Sequence, residues 1–193
     1  MSFAGEWCAV KDEHLYIGGL GKEWTTPDGQ VINFNPMFVK RISATGEVEH
    51  LDWHDNYLAL RKKAGIEFPG YMIHEAVSWS EIQKKWYFLP RRASKFKYND
   101  VEDERHGTNM MLTSDAGFRY INLKTVGNLE TPSHGFSTFK FIPQTGDRVI
   151  VALKSEELEG KVATYVMVFT VDGKILYPET KIGDRKYEGF EFI

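Results

Sequence analysis

At 193 residues, 42% hydrophobic and 14% aromatic, the chain can form one sizeable domain or a large part of one, and it is too apolar to be disordered. Its formal net charge of −3 excludes the basic surplus of a nucleic-acid binder, and no apolar run approaches the roughly 18 residues of a membrane span. The single cysteine, Cys8, excludes an intrachain disulfide and a cysteine-built zinc site, and it reads as a buried structural thiol.

Met1 to Gly5 lacks the basic region and apolar core of a signal peptide. Glu6 to Val10 then runs through Lys11-Asp12-Glu13-His14 into Leu15 to Gly18, a hairpin signature. Ile32 to Ile42 and Val48 to Trp53 follow as a second strand pair across Ala44-Thr45-Gly46. A helix is predicted next, capped by Asp55, with Tyr57, Leu60, Arg61 and Ala64 on one face and Gly65 to end it. Ile73 to Trp79 pairs with Trp86 to Leu89, and Met110 to Thr113 with Tyr120 to Val126; Lys95 to Gly107 reads as a long surface loop between them. The layout recurs in Phe136 to Ile142 with Val149 to Leu153, then Tyr165 to Thr170 with Ile175 to Tyr177.

Four strands per unit, three times over, at a period of about 50–70 residues, is how propeller blades look in sequence. Lys186 to Ile193 reads as a further single strand without following partners. A propeller leaves sheet edges in water unless its ring closes, so the expectation is a truncated chain whose completing strands are missing.

One polar position recurs on the first strand of each unit: Glu6 before Trp7, Glu75 after His74, Ser137 after Phe136, and Glu188 on the last strand. Innermost strands line a central channel, so these side chains would converge. Two carboxylates about 6 Å apart at an effective dielectric near 20 repel by roughly 3 kcal/mol. Protonation or a bound cation relieves that repulsion, and an all-oxygen donor set suits Ca²⁺. The blander alternative is a set of solvated acidic residues at strand ends.

Gly18 to Thr26 is glycine-rich and carries Lys22 and Trp24, but it is no P-loop: the hydroxyl position holds Glu23 and no helix pattern follows. Either Lys22 reaches a phosphate with Trp24 near a base or ribose, or the stretch is a tight turn with a solvated lysine. Arg91 and Arg92 end an apolar strand, where neighbours point to opposite faces, so one of them can face a shared site and bind phosphate oxygens. A surface salt bridge is the alternative. His74-Glu75 is not a zinc-protease motif, because Ser78 stands where the second histidine belongs. Lys154 to Glu157 reads as a solvated turn, and His134 as structural.

Glu6 to Glu13, Tyr16 to Thr26, Gly70 to Glu75, Phe88 to Ser94, His134 to Ser137, Ile150 to Glu157, Pro178 to Gly183 and Lys186 to Gly189 closely resemble the soluble calcium-activated nucleotidase (apyrase) family. The resemblance covers essentially the whole chain in the same order. It implies a five-bladed β-propeller with one Ca²⁺ in its central tunnel, of which this chain supplies about three blades and the inner strand of a further one, in a single partial domain over residues 1–193. It also implies calcium-dependent hydrolysis of nucleoside diphosphates and triphosphates, with UDP, GDP and ADP expected, in the endoplasmic reticulum, the Golgi or a secreted fluid. Glu6, Glu75, Ser137 and Glu188 match its calcium-contacting positions, and Lys22 and Arg91 match its nucleotide site. A further metal-contacting serine and several acidic active-site residues have no counterpart in this chain.

Two rival readings stand beside the enzyme. One is a non-catalytic propeller that binds a ligand or protein across its top face, since such folds host both functions. The other is a truncated, inactive product that folds poorly or pairs with another copy as a homodimer.

Overall fold

Asp12 and Glu13 both have left-handed backbone, at φ 49° and 59°, and turn β1 (Trp7–Lys11) into β2 (His14–Gly18). Positive φ at both central residues gives a two-residue hairpin the twist that its strands need. The structure, a computed structural model, describes residues 4–193. After β2 a small hairpin of β3 (Trp24–Thr25) and β4 (Val31–Asn33) leaves the sheet, and β5 (Phe38–Ile42) and β6 (Val48–Asp52) complete it in the order β1-β2-β5-β6. The predicted run from Ile32 to Ile42 is therefore broken, by a 3-10 turn at Asn35–Met37 where Pro36 cannot donate to a ladder.

Helix α1 (His54–Lys63) buries Tyr57, Leu60 and Arg61, the face that the sequence indicates. Its cap differs from expectation. Asp55 lies inside the first turn, and the Asp52 carboxylate accepts the His54 N–H at 2.9 Å instead. Sheet two is β7 (Tyr71–Ser80), β8 (Lys85–Ser94), β9 (Met110–Ser114) and β10 (Ile121–Thr125), in chain order. The segment from Lys95 to Gly107 is more than a surface loop. It contains α2 (Asp100–Asp103), whose Asn99 side chain caps two backbone N–H groups, and Gly107 bridges back to Arg92. Sheet three is β11 (His134–Phe141), β12 (Val149–Leu158), β13 (Lys161–Thr170) and β14 (Ile175–Gly183), again in chain order.

The chain is thus all-β, with three successive four-stranded antiparallel sheets. Strands β1, β7 and β11, the first of each sheet, lie beside one another. An aromatic cluster of Trp7, Tyr16, Trp53, Tyr57, Trp79, Trp86 and Phe88 joins sheets one and two, and a second core of Leu89, Met111, Phe136, Phe139 and Phe169 joins sheets two and three.

Three sequence expectations fail here. Cys8 is exposed, because β1 alternates and turns Trp7 and Ala9 inward. Lys154 to Glu157 is no turn: β12 continues to Leu158, and Lys154 and Ser155 are buried. Lys186 to Ile193 forms no strand, because among the described residues no neighbouring backbone supplies a ladder; Tyr187 is tied down by Thr164 Oγ1 instead.

Candidate functional site

The ladder between β7 and β8 slips on either side of His74: Ile73 faces Arg92 and His74 faces Pro90, which skips Arg91, and Ala76 faces Leu89, which leaves Glu75 unpaired. Between β11 and β12 the same thing happens at Ser137, with Phe136 facing Lys154 and Thr138 facing Leu153. A bulge re-aims a side chain and interrupts pairing. Two of the four recurring polar positions therefore sit at irregularities of β7 and β11, which lie beside one another. Glu6 stands just before β1 with its N–H on the Gly18 carbonyl at 2.8 Å.

Glu6, Glu75 and Glu188 line one open cavity of about 610 Å³. Ser137 lies beside the same terminal segment, its hydroxyl 3.1 Å from the Tyr187 carbonyl oxygen. Burial pushes the Glu75 carboxyl above its ordinary range; the cations Arg91 and Lys186 pull it back, and Glu6 and Glu157 push it further up. Arg91 Nη1 donates to Glu75 Oε2 at 3.1 Å and to Ser155 Oγ at 2.5 Å, and Nη2 donates to Glu157 at 2.6 Å. Lys186 bridges Glu157 at 3.2 Å and Glu188 at 3.0 Å.

As donors for a metal, these groups fit a hard divalent cation in one respect: they are oxygens only. Their present partners are Arg91 and Lys186. Among the described residues no three His, Cys, Asp or Glu side chains are arranged to hold an ion.

Both adjacent arginines are buried, so neither makes the surface salt bridge that sequence alone allows. They diverge as strand neighbours must: Arg92 Nη1 donates to the Ser133 carbonyl at 3.1 Å while Arg91 serves the carboxylates. Gly135 of β11 passes between them. A Cβ there would stand 2.5 Å from the Arg91 carbonyl oxygen and 2.7 Å from Arg92 Nη1, so the glycine is required by close approach.

Lys22 is not solvated. Its ammonium donates to the Glu23 carbonyl at 2.9 Å and Thr25 Oγ1 at 3.0 Å, and it lies 4.1 Å over the Tyr98 ring. Gly21, at φ 73°, makes the turn; a Cβ there would meet the Tyr57 ring at 2.6 Å and His74 at 2.7 Å. Trp24 is half-exposed and lines a separate cavity of about 190 Å³ with Glu6, Asn33 and Asn35. Glu6 thus borders both cavities, while Lys22 lines neither.

Sequence reasoning missed Ser155, Glu157 and Lys186. The first two were hidden by ending β12 too early, where its apolar run gives way to the polar Lys154 to Glu157. Lys186 had no signal, since its contacts come from an irregular segment.

The family model described as Apyrase matches residues 1–193. The chain is 59% identical over 191 residues to the rat protein named soluble calcium-activated nucleotidase 1, covering 99% of this chain and 47% of that one. It is 50% identical over 192 residues to Apyrase apy-1 of Caenorhabditis elegans, with 98% and 54% covered. To the Apyrase of Cimex lectularius it is 43% identical over 191 residues, with 99% and 52% covered. The chain spans about half the length of these curated relatives.

Proposed function

The chain belongs to the apyrase family, and from that premise we propose that it forms the metal- and phosphate-handling part of a calcium-dependent hydrolase of nucleoside diphosphates and triphosphates. UDP, GDP and ADP are the proposed substrates, with inorganic phosphate released. The three sheets are read as successive blades of a five-bladed propeller, in a protein of the secretory pathway. The observation that carries the reading is the pair of bulges at Glu75 and Ser137 on adjacent inner strands, beside a cavity shared by Glu6, Glu75 and Glu188.

Glu6, Glu75, Ser137 and Glu188 would hold Ca²⁺, which when bound supplies a Lewis-acidic centre for phosphate oxygens and relieves the repulsion among the carboxylates. Arg91 supports this from the protein side. Forked among Glu75, Ser155 and Glu157, it opposes the rise that burial imposes on the Glu75 carboxyl and presents a guanidinium matched to phosphoryl oxygens. Lys22 supplies the second cation for the charge that grows on the departing phosphate, and such a donor is worth about 2–4 kcal/mol of barrier. Trp24 offers an exposed ring face for the base.

The test is release of phosphate from UDP and GDP by a chimera in which these 193 residues replace the matching part of the rat relative. Phosphate release with calcium and its loss with a chelator are expected. Equal rates in calcium and in chelator would overturn the metal role, and an inactive chimera with a native fold would overturn the enzymatic one.

A further inference from the structure

Lys22 is only 3% exposed, yet among the described residues no carboxylate oxygen lies within salt-bridge distance of its ammonium. Buried charges are normally paired, because desolvation otherwise drives the group toward its neutral form. Its neighbour Glu23 cannot fill the role in full, since both of its oxygens are held by Arg61, at 2.8 and 3.0 Å. The remaining contact is the face of Tyr98, which packs edge-on against Tyr71 at 5.2 Å between centroids. Tyr71 Oη in turn donates to Asp103 Oδ1 at 2.5 Å, and His106 Nδ1 stands 2.8 Å from the same phenol oxygen.

Asp103 is held there by design of the segment around it. Asn99 caps α2 by accepting from Val101 and Glu102, and the Asp100 N–H reaches across to the Pro27 carbonyl at 3.0 Å. Gly29 lies so close to the Tyr98 carbonyl that a Cβ would stand 2.3 Å from it. The β8–β9 connection is thereby latched onto the β3–β4 hairpin, directly above the lysine's loop.

We propose that Asp103 is a positioning residue whose carboxylate, acting across the Tyr98–Tyr71 pair, is the counter-charge that keeps Lys22 an ammonium in the phosphate site. The nucleotide role of Lys22 rests on the function proposed above; the electrostatic coupling does not. Burial brings the Lys22 amine down to about 8, Asp103 is the largest influence raising it, Glu23 adds to it, and Arg61 opposes both. Burial holds the Asp103 carboxyl above the ordinary range, against the hydrogen bond from Tyr71 and the positive charges of Arg92, His106 and Lys22, which pull it down. The sign follows: without the Asp103 charge the Lys22 amine titrates lower still, so a neutral amine prevails at a less alkaline pH.

The coupling is read on the 193-residue chain by NMR titration of the Lys22 Cε resonance, free of any assay of activity. In D103N, which keeps the oxygen that accepts from Tyr71, the midpoint should fall by about one pH unit, a tenfold change. It should stay in place in E102Q, an exposed neighbour on the same helix. Coupling free energies are reciprocal, so in Lys22→Met the Asp103 carboxyl should titrate higher by the same amount, which keeps the test intact if D103N does not fold. An unmoved Lys22 midpoint in D103N, or an unmoved Asp103 midpoint in Lys22→Met, overturns the proposal. In the chimera, D103N should move the alkaline limb of phosphate release down in pH; a chimera that releases no phosphate refutes the nucleotidase reading, while the amine titration still decides on Asp103.

Discussion

The junction of sheets one and two and the inner end of the junction of sheets two and three are both buried, but they are filled differently. At the first, Trp86 is ringed by Trp7, Tyr16, Trp53, Trp79 and Phe88 with centroids 5.2–6.4 Å away. At the second, Arg91, His134 and Lys154 enter from sheets two and three and meet Glu75, Glu157, Glu156 and Glu179, while Arg92 donates to the Ser133 carbonyl. Aromatic burial is non-directional and needs no partner, whereas each buried charge needs one in the right place. The rings stabilise the fold. The charges add little net stability.

The largest effect should come from the ring cluster. Trp86→Ala empties a site that is 1% exposed and should cost about 4 kcal/mol, lowering Tm by about 10 °C. Urea unfolding followed by tryptophan fluorescence measures it; a loss below about 1 kcal/mol would mean that the cluster is not what joins the sheets. At the charged seam Arg91→Met should cost about 3 kcal/mol, chiefly because Glu75 is left buried without its partner. If both Arg91 and Glu75 are made apolar, most of that loss should return. A double variant as unstable as the single one would show the seam to be structural in the same sense as the rings.

His74 is where the two kinds of filling collide. It lies between the Tyr57 and Phe88 rings, fully buried, and among the described residues neither ring nitrogen has a hydrogen-bond partner. Burial therefore takes the imidazole down to about 3, with Arg61 adding to the shift. The folded state resists protonation that the unfolded state accepts, so stability is complete above pH 6.5 and falls as pH drops from 6.5 toward 3. His74→Leu removes both orphaned nitrogens. It should be neutral or stabilising by about 1 kcal/mol at pH 7, and its stability should fall less between pH 6 and pH 4. Chemical denaturation at three pH values decides; parallel pH profiles would show that another group governs acid lability.

Much of this was legible beforehand, for identifiable reasons. Alternation and turn chemistry located most of the strands, because Asp12-Glu13 and Val171 to Lys174 punctuate runs whose apolar residues face one way. The α1 face was legible because Tyr57, Leu60 and Arg61 repeat at helical spacing. The recurring position was legible at Glu6, Glu75 and Ser137, but its bulges were not, since a bulge leaves no mark in a single sequence beyond Pro90 opposite His74. Lys22 and Arg91 were picked for their chemistry, and the sequence could not tell that both are turned inward onto protein partners. Asp103 was hidden in a charged stretch that resembles solvated loop, because its burial depends on Tyr71 and Tyr98, contacts made in space.

The smallest effect should fall on β1 itself, one residue from the ring cluster. Cys8 faces out between Trp7 and Ala9, which face in. Its side chain meets the solvent-open cavity, so Cys8→Ser removes no packed sulfur and creates no void. Stability should change by less than about 0.5 kcal/mol, as for surface substitutions generally. A thiol reagent such as Ellman's should label the native protein at Cys8 without denaturant, at a rate close to that of the unfolded chain. Slow labelling that speeds up only on unfolding would put the thiol inside, reverse the alternation of β1, and with it the inward placement of Trp7 on which the aromatic junction depends.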